Sequence, residues 1–181
     1  MTSKYIHRSL ETVLKRAVTE FPAVVLTGPR QAGKTTLLQH LFGTGHRYVS
    51  LELPDVRASA AEDPRSFLEL NPPPVIFDEV QYATALLPYI KERIDADRDM
   101  TGQYLLTGSQ NLLLMERVTE TLAGRAAILR LLPLSQRESN RRPEAALPWE
   151  SKQLPDRAST ASYRKLWQGF IRGNYPELQT H

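Results

Sequence analysis

The sequence predicts an α/β protein with a mostly parallel five-stranded sheet and helices on both faces, a three-layer arrangement. Three observations carry this. Short apolar runs such as "AVVLT" (23–27), "VIFDEV" (75–80) and "QYLLTGS" (103–109) read as strands buried on both sides. Segments with apolar residues at helical spacing alternate with them. The first run passes at once into "GPRQAGKTT" (28–36), and a helical pattern follows directly.

The elements can be justified in order. Leu10, Val13, Leu14, Ala17 and Val18 fall on one helical face, and Phe21-Pro22 ends that helix. "AVVLT" is the first strand, and Thr35 to Phe42 continues as a helix with Leu37, Leu38 and Leu41 facing inward. "RYVSLEL" (47–53) predicts the second strand. Asp63-Pro64 is a helix start, a capping residue followed by proline at the first helical position. "NPPP" (71–74) stops that helix and delivers the chain into "VIFDEV", the third strand. Leu87, Ile90 and Ile94 share a helical face, "QYLLTGS" is the fourth strand, and Leu112, Met115, Val118 and Leu122 mark another helix. "AAILRLLPL" (126–134) is the fifth strand. After Ser135 the periodicity is lost. Residues 137–160 are polar and proline-containing and read as a linker, and an apolar stripe from Tyr163 to Ile171 predicts a last helix. The expected organisation is one domain over 1–136, a linker over 137–160 and a C-terminal helix over 161–181.

Composition narrows the function classes. The chain has 181 residues, 41% hydrophobic and 24% charged, the balance of a globular protein. Its 23 Lys and Arg against 20 Asp and Glu are too mild an excess to indicate a nucleic-acid surface. No cysteine is present, which excludes disulfides, thiol nucleophiles and thiolate-bound zinc. The four histidines are scattered, without metal-ligand spacing. No apolar run approaches the ~20 residues of a membrane span, and the charged N-terminus lacks a signal-peptide core. A soluble, cytoplasmic protein is expected.

The segment 28–36 has the form G-x-x-x-x-G-K-[ST], and its residue types suit phosphate. Gly28 and Gly33 permit backbone angles that let amide N–H groups converge on phosphate oxygens. Pro29, Arg30, Gln31 and Ala32 complete the loop, and the helix behind it adds its positive end. Lys34 is placed to reach the β- and γ-phosphates and Thr35 to ligate Mg²⁺, while Thr36 packs or caps. Arg30 faces phosphate, a partner or solvent.

Two further segments bear on what happens to the nucleotide. Asp78, at the end of a buried strand, suits the carboxylate that holds Mg²⁺ through its water shell. Glu79, next in sequence, can orient and deprotonate a water in line with the γ-phosphate. In "LLTGSQ" a polar residue at the strand tip can touch the γ-phosphate or that water: Ser109 first, then Thr107, with Gln110 as an outside candidate.

Together, "GPRQAGKTT", "VIFDEVQ", "LLTGSQNLLLMERVTETLAGRAAILRLLPLS" and "FIRGNYPEL" resemble the prokaryotic AAA+-like ATPases that join an AAA ATPase domain to a C-terminal domain of unknown function. The likeness covers about residues 4–135 and returns at 164–178. It implies a P-loop NTPase fold with strand order 5-1-4-3-2, ATP and Mg²⁺ as ligands, Lys34 and Thr35 on phosphate and metal, Asp78 on the metal and Glu79 as base. It makes Arg125, in "LAGR", a candidate for contacting nucleotide or a neighbouring subunit's γ-phosphate; the alternative is a surface arginine paired with an acidic neighbour. Members of the family continue well beyond "GNYPEL", so the resemblance implies a shortened chain whose last helix begins a missing domain. That helix either packs on its own sheet or meets another copy or a partner protein. Three functions stand: an Mg²⁺-dependent ATPase, a nucleotide-dependent interaction switch that barely hydrolyses ATP, and a phosphotransferase, disfavoured because no acceptor site is visible.

Overall fold

The computed structural model describes residues 5–109, 112–144 and 173–176 together with Tyr163, Arg164 and Trp167. Five strands form one sheet: β1 (Ala23–Gly28), β2 (Arg47–Ser50), β3 (Val75–Asp78), β4 (Tyr104–Ser109) and β5 (Ala126–Arg130). Their spatial order is β2-β3-β4-β1-β5 and every pairing is parallel. This is the expected order 5-1-4-3-2 read from the opposite edge.

The strands alternate their side chains between two cores, as a two-residue repeat requires. Val24, Leu26, Ile76 and Leu105 face Leu14 and Ala17 of α1 (Glu11–Glu20) and Leu37 and Leu38 of α2 (Lys34–Phe42). Ala23, Val25, Phe77 and Leu106 face the other way. There they meet Phe67 and Leu68 of α4 (Pro64–Leu70), Leu87 and Ile90 of α5 (Leu86–Ala96) and Val118 of α6 (Leu112–Thr121). β1 is buried along its whole length, so the sheet holds the start of the glycine loop rigidly.

Several expectations are corrected. The second strand stops at Ser50, and Pro54–Glu62 forms a helix, α3, with proline in its first turn and Asp55 beside it. The apolar-polar alternation of "SLEL" imitates a strand, but Leu51 turns into the core and the chain leaves the sheet. The third strand ends at Asp78 because Glu79 adopts a left-handed conformation and Val80–Tyr82 coils into a 3₁₀ turn. The fifth strand ends at Arg130. Val13 is exposed, since α1 buries only the narrower stripe of Leu14 and Ala17. Gln136–Ser139 forms a short helix, α7, started by a Ser135–Glu138 capping box. The remainder of the expected linker from residue 145 on, and most of the C-terminal helix, lie outside the described residues.

Candidate functional site

The glycine loop joins the carboxyl end of β1 to the amino end of α2. Gly28 has φ +153°, and a Cβ there would lie 2.1 Å from the Leu131 carbonyl oxygen, so no side chain fits between β1 and the exit of β5. Gly33 has φ +88° and occupies the N-cap of α2, where the left-handed conformation favours glycine. It provides no side-chain cap, and no acidic residue stands in the first helical turn. The helix therefore presents its N–H groups and partial positive charge uncompensated, which suits a phosphate.

Lys34 is buried, and its ammonium donates to the carbonyls of Gly28 at 3.3 Å and Pro29 at 3.1 Å. An ammonium has three donors, so one remains for an anion. Ala32 is buried, Pro29 is half-buried, Gln31 takes φ 62°, and Thr36 is exposed on α2. Arg30 is exposed and its guanidinium reaches the Tyr82 hydroxyl at 3.4 Å.

The start of α2 and the ends of β3 and β4 bring the other residues together. The Thr35 hydroxyl donates to Asp78 Oδ1 at 2.8 Å. The Thr107 hydroxyl donates to the same oxygen, and its own oxygen accepts the backbone N–H of Glu79 at 2.9 Å. Glu79 sits at φ 60°, ψ 50°, a left-handed conformation that turns its side chain away from the path of β3. Thr35 and Asp78 offer hard oxygen donors, which fit Mg²⁺, a cation that takes few protein ligands and completes its octahedron with phosphate and water oxygens. The remaining donor of Lys34, the uncapped end of α2 and this oxygen pair all fit a magnesium–nucleotide complex.

Of the two strand-tip candidates, Thr107 is wholly buried and engaged with both carboxylate residues. Ser109 is half-buried at the end of β4, in register with Gly28, and its N–H donates to Gln81 Oε1 at 3.2 Å. Gln110 lies outside the described residues. Arg125 is not brought to this site. It precedes β5 at the amino end of the sheet, a strand length or about 17 Å from the loop. There it grips Asp95 with two bonds, Nε to Oδ1 at 2.7 Å and Nη2 to Oδ2 at 3.0 Å.

Three residues were missed by sequence reasoning. The Tyr48 hydroxyl donates to Asp78 Oδ2 at 2.8 Å; burial and then this bond push its phenol up to about 12. Gln81 joins Glu79 to Ser109 and could have been noticed only as the residue closing "VIFDEVQ". Arg8 is buried beneath the loop and donates to the carbonyls of Ala32 at 2.8 Å and Leu132 at 2.6 Å and to Glu138 at 3.1 Å. Nothing in "YIHRSL" distinguishes it from a surface arginine.

A parallel α/β sheet with a glycine loop at the carboxyl end of an inner strand, and acidic and hydroxyl residues on the strands beside it, defines a P-loop ATPase fold. The comparisons agree. The chain belongs to the family of AAA domains, whose model matches residues 20–140. It is 34% identical over 126 residues to uncharacterized proteins of Mycobacterium bovis and Mycobacterium tuberculosis, covering 69% of this chain. The chain spans only 28% of the length of those relatives. Among solved structures, a Walker-type ATPase of Pyrococcus abyssi superposes with a TM-score of 0.53 at 20% identity, over 76% of this chain and 57% of that one. At that identity the likeness shows the fold. No described helix is long and apolar enough to cross a membrane.

Proposed function

We propose that the chain binds ATP with Mg²⁺ and hydrolyses it. The observation that carries the reading is the bond from the Thr35 hydroxyl to Asp78 Oδ1, with Glu79 one residue further on. It joins the phosphate loop to the end of β3 and sets a second carboxylate beside the pair. Backbone N–H groups of the loop and Lys34 would bind the phosphates, Thr35 would ligate the metal, and Asp78 would hold it through its water shell. When bound, Mg²⁺ neutralises charge on the phosphate oxygens. Glu79 orients the attacking water and takes its proton on a carboxylate oxygen. Thr107 holds Asp78 and the Glu79 backbone in place, and Ser109 stands at the strand tip facing the loop. The experiment is phosphate release from Mg-ATP by the full chain, with Glu79→Gln alongside. Turnover abolished in Glu79→Gln while ATP binding persists supports the reading; turnover unchanged in that variant sinks it.

A second reading is a nucleotide-dependent interaction switch with little hydrolysis. It is favoured by the return of the chain to the loop at residues 173–176. Leu134 N–H donates to the Asn174 carbonyl at 2.6 Å, and a Cβ on Gly33 would stand 3.5 Å from the Pro176 ring. Nucleotide at the loop would then be felt by the C-terminal segment, where Tyr163 and Trp167 expose apolar rings to another copy or a partner protein. Tight ATP binding without turnover at any protein concentration favours this reading over the first.

A further inference from the structure

Gln81 has no part in the phosphate loop or in holding a metal, yet both ends of its carboxamide are engaged at the site. Its Nε2 donates to Glu79 Oε2, and its Oε1 accepts the backbone N–H of Ser109 at 3.2 Å. The orientation is dictated by chemistry. An ionised carboxylate can only accept and a backbone N–H can only donate, so the reversed amide would set acceptor against acceptor and donor against donor. The backbone turn that places Gln81 closes without this side chain, through Tyr82 N–H to the Glu79 carbonyl at 3.1 Å and Ala83 N–H to the Val80 carbonyl at 3.0 Å. The amide is therefore spare to the fold.

We propose that Gln81 is a positioning residue that ties the Glu79 carboxylate to the Ser109 N–H, so that the state of the β4 tip sets where that carboxylate sits. The proposal rests on the reading of Glu79 as the base. Ser109 is in register with Gly28, which sets the end of β4 beside the start of the phosphate loop. The Ser109 N–H is a single donor, and a terminal phosphate oxygen arriving there competes with the Gln81 carbonyl for it. Losing that bond frees one end of the amide and lets the other end move with Glu79. A nucleotide lacking the terminal phosphate leaves the bridge closed.

The test uses the full chain labelled with ¹⁵N and compares the Gln81 side-chain amide resonances in Mg-ADP and in a Mg²⁺ complex of a non-hydrolysable ATP analogue. They are expected to differ between the two nucleotides and to match the nucleotide-free position in ADP. Gln81→Met is expected to keep ADP affinity within about twofold while lowering kcat about tenfold or more at little-changed KM. Gln81→Glu, which keeps an acceptor for Ser109 but loses the donor to Glu79, should lose at least as much. Identical resonances in the two complexes, or wild-type kcat in Gln81→Met, overturn the proposal. If the unaltered chain turns over no ATP, the hydrolysis reading fails on its own and the resonance comparison alone decides the role of Gln81.

Discussion

The Thr107 side chain accepts the backbone N–H of Glu79 at 2.9 Å, and the same hydroxyl donates its proton to Asp78. One group on β4 thereby orders two consecutive residues at the end of β3. Only a hydroxyl can do this, because it donates and accepts at a single atom. Its complete burial means that water cannot replace it.

Replacing Thr107 by Val keeps the shape and removes both bonds. The Glu79 N–H loses its partner, and Asp78 loses one of its three hydroxyl donors, the others being Thr35 and Tyr48. The expected cost is about 1–3 kcal/mol of stability, the usual penalty for a buried group left unsatisfied. ATP affinity should change little and turnover should fall, while Thr107→Ser retains most of both. Urea unfolding and steady-state phosphate release on the three proteins check it, and a Thr107→Val protein of wild-type stability would count against the bridging role.

Lys34 offers the simplest test of nucleotide binding. Two of its donors go to Gly28 and Pro29, so the side chain is preorganised and gives up little entropy on meeting an anion. Lys34→Met is expected to weaken ATP binding by about tenfold or more, at least about 1.4 kcal/mol. Titration calorimetry with Mg-ATP gives the answer, and an unchanged affinity would mean that the loop does not hold phosphates through Lys34.

Arg125 should behave as a structural residue in dilute solution. Its hydrogen bonds to Asp95, with the attraction of its charge, hold that carboxyl below the usual range for an aspartate. In Arg125→Met the Asp95 carboxyl should titrate closer to the ordinary value of about 3.9, as followed by carbon NMR. Mg-ATP affinity should stay at the wild-type level. A loss of affinity in the variant would show that the guanidinium reaches nucleotide after all.

The fold was legible because its strands are continuous apolar runs and its loop is a spaced glycine-lysine pattern, both local signals. Lys34, Thr35, Asp78 and Glu79 could be picked out for the same reason: each stands at a fixed distance from a recognisable strand or loop. α3 was hidden because it buries only Ala60 and so lacks an apolar stripe, and because "SLEL" before it alternates like a strand. Tyr48, Gln81 and Arg8 act through partners 30, 28 and 130 positions away, at Asp78, Ser109 and Glu138. No local pattern encodes such pairs. The sheet order, with β4 inserted between β1 and β3, is what brings Thr107 and Ser109 to the acidic residues.

Arg8 and Glu138 form an ion pair of 3.1 Å with both side chains almost wholly buried, and its loss should be felt at the phosphate loop. Glu138 Oε1 also accepts the Ser9 N–H, and Oε2 accepts the Ser135 N–H. Burial raises the affinity of this carboxyl for its proton, but those N–H groups and the Arg8 charge outweigh it and hold Glu138 below the ordinary glutamate range. A depressed carboxyl contributes stability that is fully present above its unfolded value, about 4.3, and is lost as pH falls through the lower folded value. The wild type should therefore lose stability over that acid range more steeply than Glu138→Gln, and the two curves should converge at the bottom of it. Glu11 is also held low, and it acts equally in both proteins, so the difference isolates Glu138. At neutral pH, Arg8→Met should cost about 3–5 kcal/mol, the usual result of leaving a buried charge without its partner. It should weaken ATP binding as well, since the Ala32 carbonyl loses its tether. Urea unfolding between pH 3 and pH 7 on the three proteins decides this, and parallel wild-type and Glu138→Gln curves across that range would refute the linkage.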